Sequence, residues 1–331
     1  MTFKRILAFL VVAIVIAAVW LVGLRPQRDA RLIARHWTPE LTTLAPGTLF
    51  ARWLGTSAVL LSDGQHAVMI DPFFTRPEGL LPLVLNRPIE PDEARIRAWL
   101  ERIGVDRLDA VLVSHSHYDH AMDAGVVARL TGARLIGTRS TLNIGRGAGL
   151  DPAQLQLATP LEPLTAGPFR IEFIPSRHAG ATGGRPLGNI DAPLAVPAHY
   201  MDYRQGGTYS ILIQHPQASV LHHGSAGFEP GALRGRHADV VFLGVALVGN
   251  LPRYLDEVVD AVGARRVLLT HWDNFVQSLE QPPQPMPVVV NLSPLFDYVE
   301  RHRPDLDVSV PVLAAPIGIG AGPLSAEMPA S

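Results

Sequence analysis

Four residues able to ligate a metal lie within six positions of the stretch VLVSHSHYDHAMD: His115, His117, Asp119 and His120. Residues two apart on an extended segment point the same way, so His115 and His117 can grip one ion. The turn that follows swings Asp119 and His120 toward a neighbouring position. Imidazole nitrogen and carboxylate oxygen are the ligands zinc takes without thiolate, and the chain has no cysteine. That lack excludes disulfides, Cys-ligated zinc and thiol nucleophiles, and is compatible with either redox compartment. Water held by such an ion ionises near neutral pH and can attack a carbonyl carbon or phosphorus, the metal stabilising the developing oxyanion. Asp119 would orient this nucleophile and accept its proton. A surface histidine cluster is the bland alternative, but four ligand types in six residues after a hydrophobic strand seldom arise for solubility.

The elements that must position this loop are legible as apolar runs. LDAVLVS (108–114) reads as a buried strand, and a strand ending in a loop at a helix start gives ligands rigid support. TLFARWLG, AVLLSDG and HAVMIDP read as strands, with Asp63-Gly64 as the turn between the last two. The Pro-rich stretch from Arg76 to Pro91 reads as a surface loop. Pro91-Asp92-Glu93 then opens an amphipathic helix to about Ile103. Helix AMDAGVVARL and strand ARLIG follow; FRIEFIP, TYSILIQ, ASVLHH, ADVVFLGVA and RRVLLTH supply further strands, and LPRYLDEVVDAVG a helix. A last helix (about 293–302) and strand (307–313) precede a Gly/Pro-rich end. This order predicts an α/β fold: two mixed β-sheets face to face, helices on the outer faces. One domain over 46–315 is expected, with a mobile tail over 316–331.

Hydrophobic content of 47% against 18% charged residues provides for a sizeable core and argues against disorder. Ile6 to Leu24 runs 19 residues without a charge between Lys4-Arg5 and Arg25, long enough to span a bilayer at about 1.5 Å per residue. Trp20, Leu21, Val22 and Leu24 crowd the place of a small-x-small cleavage site, so residues 1–24 read as an uncleaved membrane anchor rather than a signal peptide. The short leading tail favours a single pass with the catalytic body on the periplasmic or extracytoplasmic side. Residues 25–45 read as a polar, Arg-rich linker. The first 35 residues hold six basic side chains and one acid, leaving 22 basic against 29 acidic in the remainder. Such a body lacks the basic footprint of a nucleic-acid enzyme, so no nucleic-acid partner is expected. Nothing in the chain signals an oligomeric state.

With its complete H-x-H-x-D-H motif, the chain resembles the metallo-β-lactamase superfamily from about Thr48 to Val312. MIDPFF (69–74) and HYDHAMD (117–123) look closest to the branch containing N-acylphosphatidylethanolamine phospholipase D and ascorbate-6-phosphate lactonase. The resemblance implies an αββα sandwich with two zinc ions at one edge of the sheets. It implies a third histidine for the first ion after a later strand, which FIPSRHAG provides as His178. For the second ion it implies one near the C-terminus, which RRVLLTHWDNF provides as His271. Most members carry a bridging Asp in a Gly-Asp-Ser/Thr-Gly segment, whereas VLHHGSAGF has Ser225 there. The second site is left with Asp119, His120 and His271, a set that one subclass of metallo-β-lactamases also uses, and one fewer anionic ligand should weaken it.

Further candidates surround this set. His223, two residues before Ser225, would share its face as a ligand or site-lining group, while His222 faces packing or surface. Asp71, ending strand HAVMID, reads as a carboxylate that orients a ligand, or as a turn initiator before Pro72. Asp123 could do similar work or serve the first turn of its helix. Between His178 and TYSILIQ lies a long Gly/Pro-rich loop, a candidate substrate wall with His199, Tyr200, Tyr203 and Arg204. Histidines 36, 66, 215, 237 and 302 read as surface. Three functions follow. The first is hydrolysis of a phosphodiester, including a lipid, favoured by the branch and the tether. The second is hydrolysis of a lactone or amide, including a β-lactam. The third is metal binding or sensing with little catalysis, encouraged only by Ser225. An oxygen-reducing diiron member would replace the second motif histidine with Glu, and here His117 is retained. No G-x-S-x-G or H-E-x-x-H motif competes.

Overall fold

Period-two alternation decides which side chains enter the space between the sheets. Along Ala110–Leu112, Ala110 and Leu112 join the cluster shared by the two sheets, while Val111 turns outward to the helices. Val68 and Ile70 face inward and Met69 outward in the same way. From the other side Phe169, Ile171, Phe173, Ile211 and Ile213 fill the same layer. Each of the branched aliphatic and aromatic side chains among these stabilises the fold by roughly 1.5–3 kcal/mol relative to exposure.

The computed structural model describes residues 11–13, 15–38, 44–180 and 186–319. One seven-stranded sheet runs β16 (Pro316–Gly318), β1 (Phe50–Trp53), β2 (Val59–Ser62), β3 (Ala67–Ile70), β5 (Ala110–Leu112), β6 (Arg134–Gly137), β7 (Leu155–Leu157). The other runs β15 (Asp307–Ser309), β14 (Arg266–Thr270), β13 (Val240–Gly244), β12 (Ala218–His223), β11 (Tyr209–His215), β9 (Phe169–Pro175), β8 (Leu164–Ala166). Each is mixed, with one antiparallel half and one parallel half (β3-β5-β6-β7 and β12-β13-β14-β15). The expected pair of mixed sheets with helices is therefore present. The turn at Asp63-Gly64 joins β2 to β3, its backbone fixed by bonds from the Gln65 and His66 amides to Asp63 Oδ1. Asp92 caps the helix Glu93–Arg102 by accepting from the Arg95 amide.

Three expectations change. The first part of the predicted linker is helical over Arg25–Arg35, because Ile33 finds a buried partner face and Asp29 receives the Leu292 amide. Pro26 stands where this helix continues from the π-helical turn Val19–Leu24. The predicted tail begins in a strand, since Pro316–Gly318 pairs with β1 and Gly318 accepts from Arg266. The Pro-rich loop contains a short helix, Leu81–Val84, and β4 (Pro88–Ile89), which pairs with β10 (Ala198–His199). The start of the apolar run (6–10), part of the linker (39–43) and the end of the tail (320–331) lie outside the described residues.

Loops following β1, β3 and β14 are locked together by a buried ion pair. Arg76 Nη2 bonds Asp273 Oδ2 at 2.7 Å, with side chains 2% and 0% exposed. Arg76 also donates to Thr56 Oγ1 and to the carbonyls of Asn274 and Gln277, and Asp273 Oδ1 accepts the Thr56 amide. Gly55, at φ +88°, is obligatory beside it: a Cβ there would lie 2.2 Å from Arg76 Nη2. Removing one partner leaves an uncompensated buried charge. Arg76→Met should therefore cost about 3–5 kcal/mol, read as a lower urea midpoint by tryptophan fluorescence; an unchanged midpoint would refute this role.

Candidate metal centre

Histidines that follow apolar strands are carried to one edge of the sandwich, where the parallel strands end. His115, His117, Asp119 and His120 follow β5, His178 follows β9 and His271 follows β14. The six side chains form two adjoining groups: His115, His117 and His178, and Asp119, His120 and His271. Within each group the ligand atoms lie within 4.8 Å of one another. His117 Nδ1 is 3.1 Å from His178 Nε2, and His120 Nε2 is 3.3 Å from His271 Nε2. Asp119 Oδ2 lies 3.3 Å from His271 Nε2 and 3.6 Å from His120 Nε2.

Hydrogen bonds outside this cluster aim the rings into it. His120 Nδ1 bonds Asp71 Oδ2 at 2.8 Å, which turns Nε2 toward His271. His178 Nδ1 is held by its neighbour's carbonyl, Ala179 O, at 2.8 Å. His271 stands at φ +54° with its amide on Thr56 O, and Thr56 and Asp71 also have positive φ. Left-handed backbone at non-glycine residues costs energy and gathers at functional sites. Asp71 thus bonds the His120 ring and is itself fixed by the Ser114 amide and hydroxyl.

The electrostatics fit a cation. Burial, reinforced by His120, His117 and His178, holds His115 neutral and far below its ordinary pKa, and its buried Nε2 has no hydrogen-bond partner. Burial opposes charge on Asp119, yet His120, His271 and His117 outweigh it and keep the carboxyl well below the usual range. Burial likewise opposes charge on His120, but Asp119 and Asp71 raise its pKa. The second group therefore draws a proton inward, as expected where positive charge belongs. Imidazoles facing one another across about 3 Å, beside an ionised carboxylate, suit a divalent cation.

A cleft of about 200 Å³ opens over the cluster. His117, Asp119, His178, Ser225 and His271 line it together with Tyr118, Tyr200, Leu247, Phe275 and Val289. Ser225 is thus at the site, its hydroxyl accepting the Ala179 amide. Of the loop candidates, Tyr200 reaches the cleft and the others do not. Tyr203 is fully buried in the outer core, because its ring fills the helix layer. His199 pairs its ring with Asn86 O beside β4, and Arg204 is exposed near Gly188.

His223 is withdrawn from the ligand set: its two ring nitrogens engage Ser210 Oγ and Gly227 O, and burial pushes its pKa down to about 4. His222 is buried against Ser57 O, and His215 is buried beside Asp63 rather than at the surface. Asp123 neither orients a ligand nor caps its helix; its carboxylate receives the Phe74 and Thr75 amides. Leu247, Phe275 and Val289 carried no signal in the sequence, since they meet only through tertiary packing.

Residues 51–244 match the family model of the metallo-beta-lactamase superfamily. A protein named metal-dependent hydrolase from Pyrobaculum islandicum is 24% identical over 237 residues, covering 70% of this chain and 87% of its own. The structure of Igni18, a metallo hydrolase from Ignicoccus hospitalis, aligns with a TM-score of 0.53 at 18% identity, over 82% of this chain and 96% of that one. An isothiocyanate hydrolase from Delia radicum gut bacteria aligns at 0.52 and 12% identity, over 82% and 100%. At these identities the structural likenesses carry the fold.

Two predictions follow from the buried carboxylates. Asp71→Asn should lower the affinity for a divalent metal by about 10–100-fold, measured by competition with a chromophoric chelator; unchanged affinity would remove its orienting role. Burial pushes the Asp123 carboxyl from an ordinary 3.8 up to about 7, against the pull of its backbone donors. The folded state then holds this proton more tightly than the unfolded chain. Stability from this group is complete below the unfolded value and is lost as pH rises through about 7. Asp123→Asn should flatten the decline in urea midpoint across that window, and a parallel decline in both proteins would exclude Asp123 as its source.

Proposed function

The chain belongs to the metallo-beta-lactamase superfamily and is a metal-dependent hydrolase; from that premise we propose a two-zinc, membrane-tethered enzyme acting on a lipid-like phosphodiester. His115, His117 and His178 would hold one ion, and Asp119, His120 and His271 the other. When bound, such a pair supplies Lewis acidity and an activated water for in-line displacement.

The chain's own groups supply the remainder. Asp119 stays ionised across the neutral range, so it accepts a hydrogen bond from the attacking water, aims it and relays its proton. Asp71 keeps His120 in one tautomer through the Nδ1 contact. The walls formed by Tyr118, Tyr200, Leu247, Phe275 and Val289 bind an apolar body and exclude water from the reacting group. That apolar cleft above the ligand cluster is the observation on which the lipid-like substrate rests. The branch resemblance in MIDPFF and HYDHAMD supports the phosphodiester linkage. The helix Val11–Arg35, 25 residues long and of sufficient apolar length, supports the tether.

A second reading, hydrolysis of a lactone or amide, is favoured by one feature. No Lys or Arg lines the cleft among the described residues, which suits a neutral scissile group.

A panel of zinc-loaded assays separates these readings. Turnover of a lipid phosphodiester above lactone, amide and β-lactam substrates is the expected result; preference for a carbonyl centre would select the second reading. Metal content is the parallel check. The parent should carry two zinc ions, with His178→Ala and His271→Ala each losing one from a different group. Parent-like content in both variants would overturn the ligand assignment.

A further inference from the structure

We propose that the rim of the cleft docks on a lipid bilayer, so that the site opens toward the membrane surface; this rests on the anchor reading above. The first observation is the direction of the N-terminal helix. At its C-terminal end His36 stacks on Phe296, with ring centroids 4.0 Å apart. Further back along the helix, Asp29 receives the Leu292 amide and Arg28 donates to Asn291, both at 3.4 Å. Followed toward lower residue numbers, the helix therefore climbs from Phe296 to Asn291, two residues from Val289 in the cleft wall. The helix Ser293–His302 begins at the ligand-bearing edge, because it follows β14 and leads into the parallel strand β15. The apolar run that precedes Arg25 consequently leaves the body on the edge that holds the site. Its side chains Val15, Ile16, Val19 and Val22 are exposed.

The second observation is the rim. Leu247 lines the cleft while 49% exposed, and its amide bonds the carbonyl of Val289. Val288, adjacent, is 59% exposed. On another side, Gly79 N bonds Val276 O next to the cleft residue Phe275, and so fastens the following short helix beside the opening. That helix and its flanks expose Leu81, Val84 and Leu85, with Val84 at 74%. Aliphatic side chains bared on the edge from which an apolar helix departs are positioned to enter the headgroup boundary. Arg28, Arg31 and Arg87 are exposed along the same two segments and suit contact with anionic headgroups.

The absence of cysteine permits a clean test on the full-length chain. Single cysteines at Ile16, Val84, Val288 and Gln65 carry an environment-sensitive fluorophore, in vesicles of phosphatidylcholine and phosphatidylglycerol with or without brominated acyl chains. Gln65 lies in the turn at the opposite edge of the sheet. Bromine should quench the probes at Val84 and Val288, and leave that at Gln65 bright, as expected for side chains about 5–10 Å into the boundary. Unquenched probes at both rim positions overturn the proposal, whatever happens at Ile16. Quenching at Ile16 decides the anchor reading separately: quenched there and bright at the rim, the chain is tethered but its cleft is not docked. A blue shift at Val84→Cys in detergent without lipid, growing with protein concentration, would mean that a second copy covers this face and would also overturn the proposal.

Discussion

A carboxylate sealed from solvent has to be satisfied completely, and Asp71 meets this demand in only one arrangement. It ends β3 in a left-handed conformation. From there it takes the amide and hydroxyl of Ser114, at the end of β5, and the Nδ1 of His120. Two neighbouring parallel strands and the ligand loop are thereby fixed to a single group. Any rotation of the His120 ring would strand a buried charge, which costs far more than an ordinary rotamer change. Gly224 makes the arrangement possible from the opposite sheet: a Cβ there would press within 3.1 Å of Asp71 Oδ2.

The same logic recurs on the other flank with opposite sign. Arg76 brings a full positive charge into the interior, and Asp273 neutralises it two residues beyond His271. Candidate ligand positions on separate strands are thus referred to two buried ionic centres rather than to flexible loop backbone. This is consistent with the positive φ at Thr56, Asp71 and His271, since strained backbone persists only where its surroundings over-determine it.

Legibility in the sequence followed the range of the interactions. The motif loop was plain because its spacing is set within six residues. His178 and His271 could be found because each follows an apolar strand run, a local signal. The sheets were readable from alternation and apolar runs for the same reason. The Gly/Pro-rich loop was not, since its course depends on β10 pairing with β4 and on Tyr203 filling the helix layer. That pairing carries His199 to Asn86 and leaves Tyr200 alone at the cleft. Arg76 and Asp273, separated by 197 positions, bear no mark of their union. Alternation also placed His223 beside Ser225, but its ring is claimed by Ser210 and Gly227, partners that only the folded sheet supplies.

The parallel half of each sheet sends its strand ends to one edge, and the candidate ligand residues all follow such ends or β9, which ends at the same edge. The opposite edge holds the turns Asp63-Gly64 and β11–β12 before Ala218. Chemistry and architecture are therefore segregated along the strand direction. Insertions at the turn edge would alter neither the ligands nor the cleft, whereas exchange of a single loop at the other edge would change the walls of the cleft and leave the sheets intact. A scaffold divided in this way can diversify its substrates by loop replacement while its folding core stays fixed.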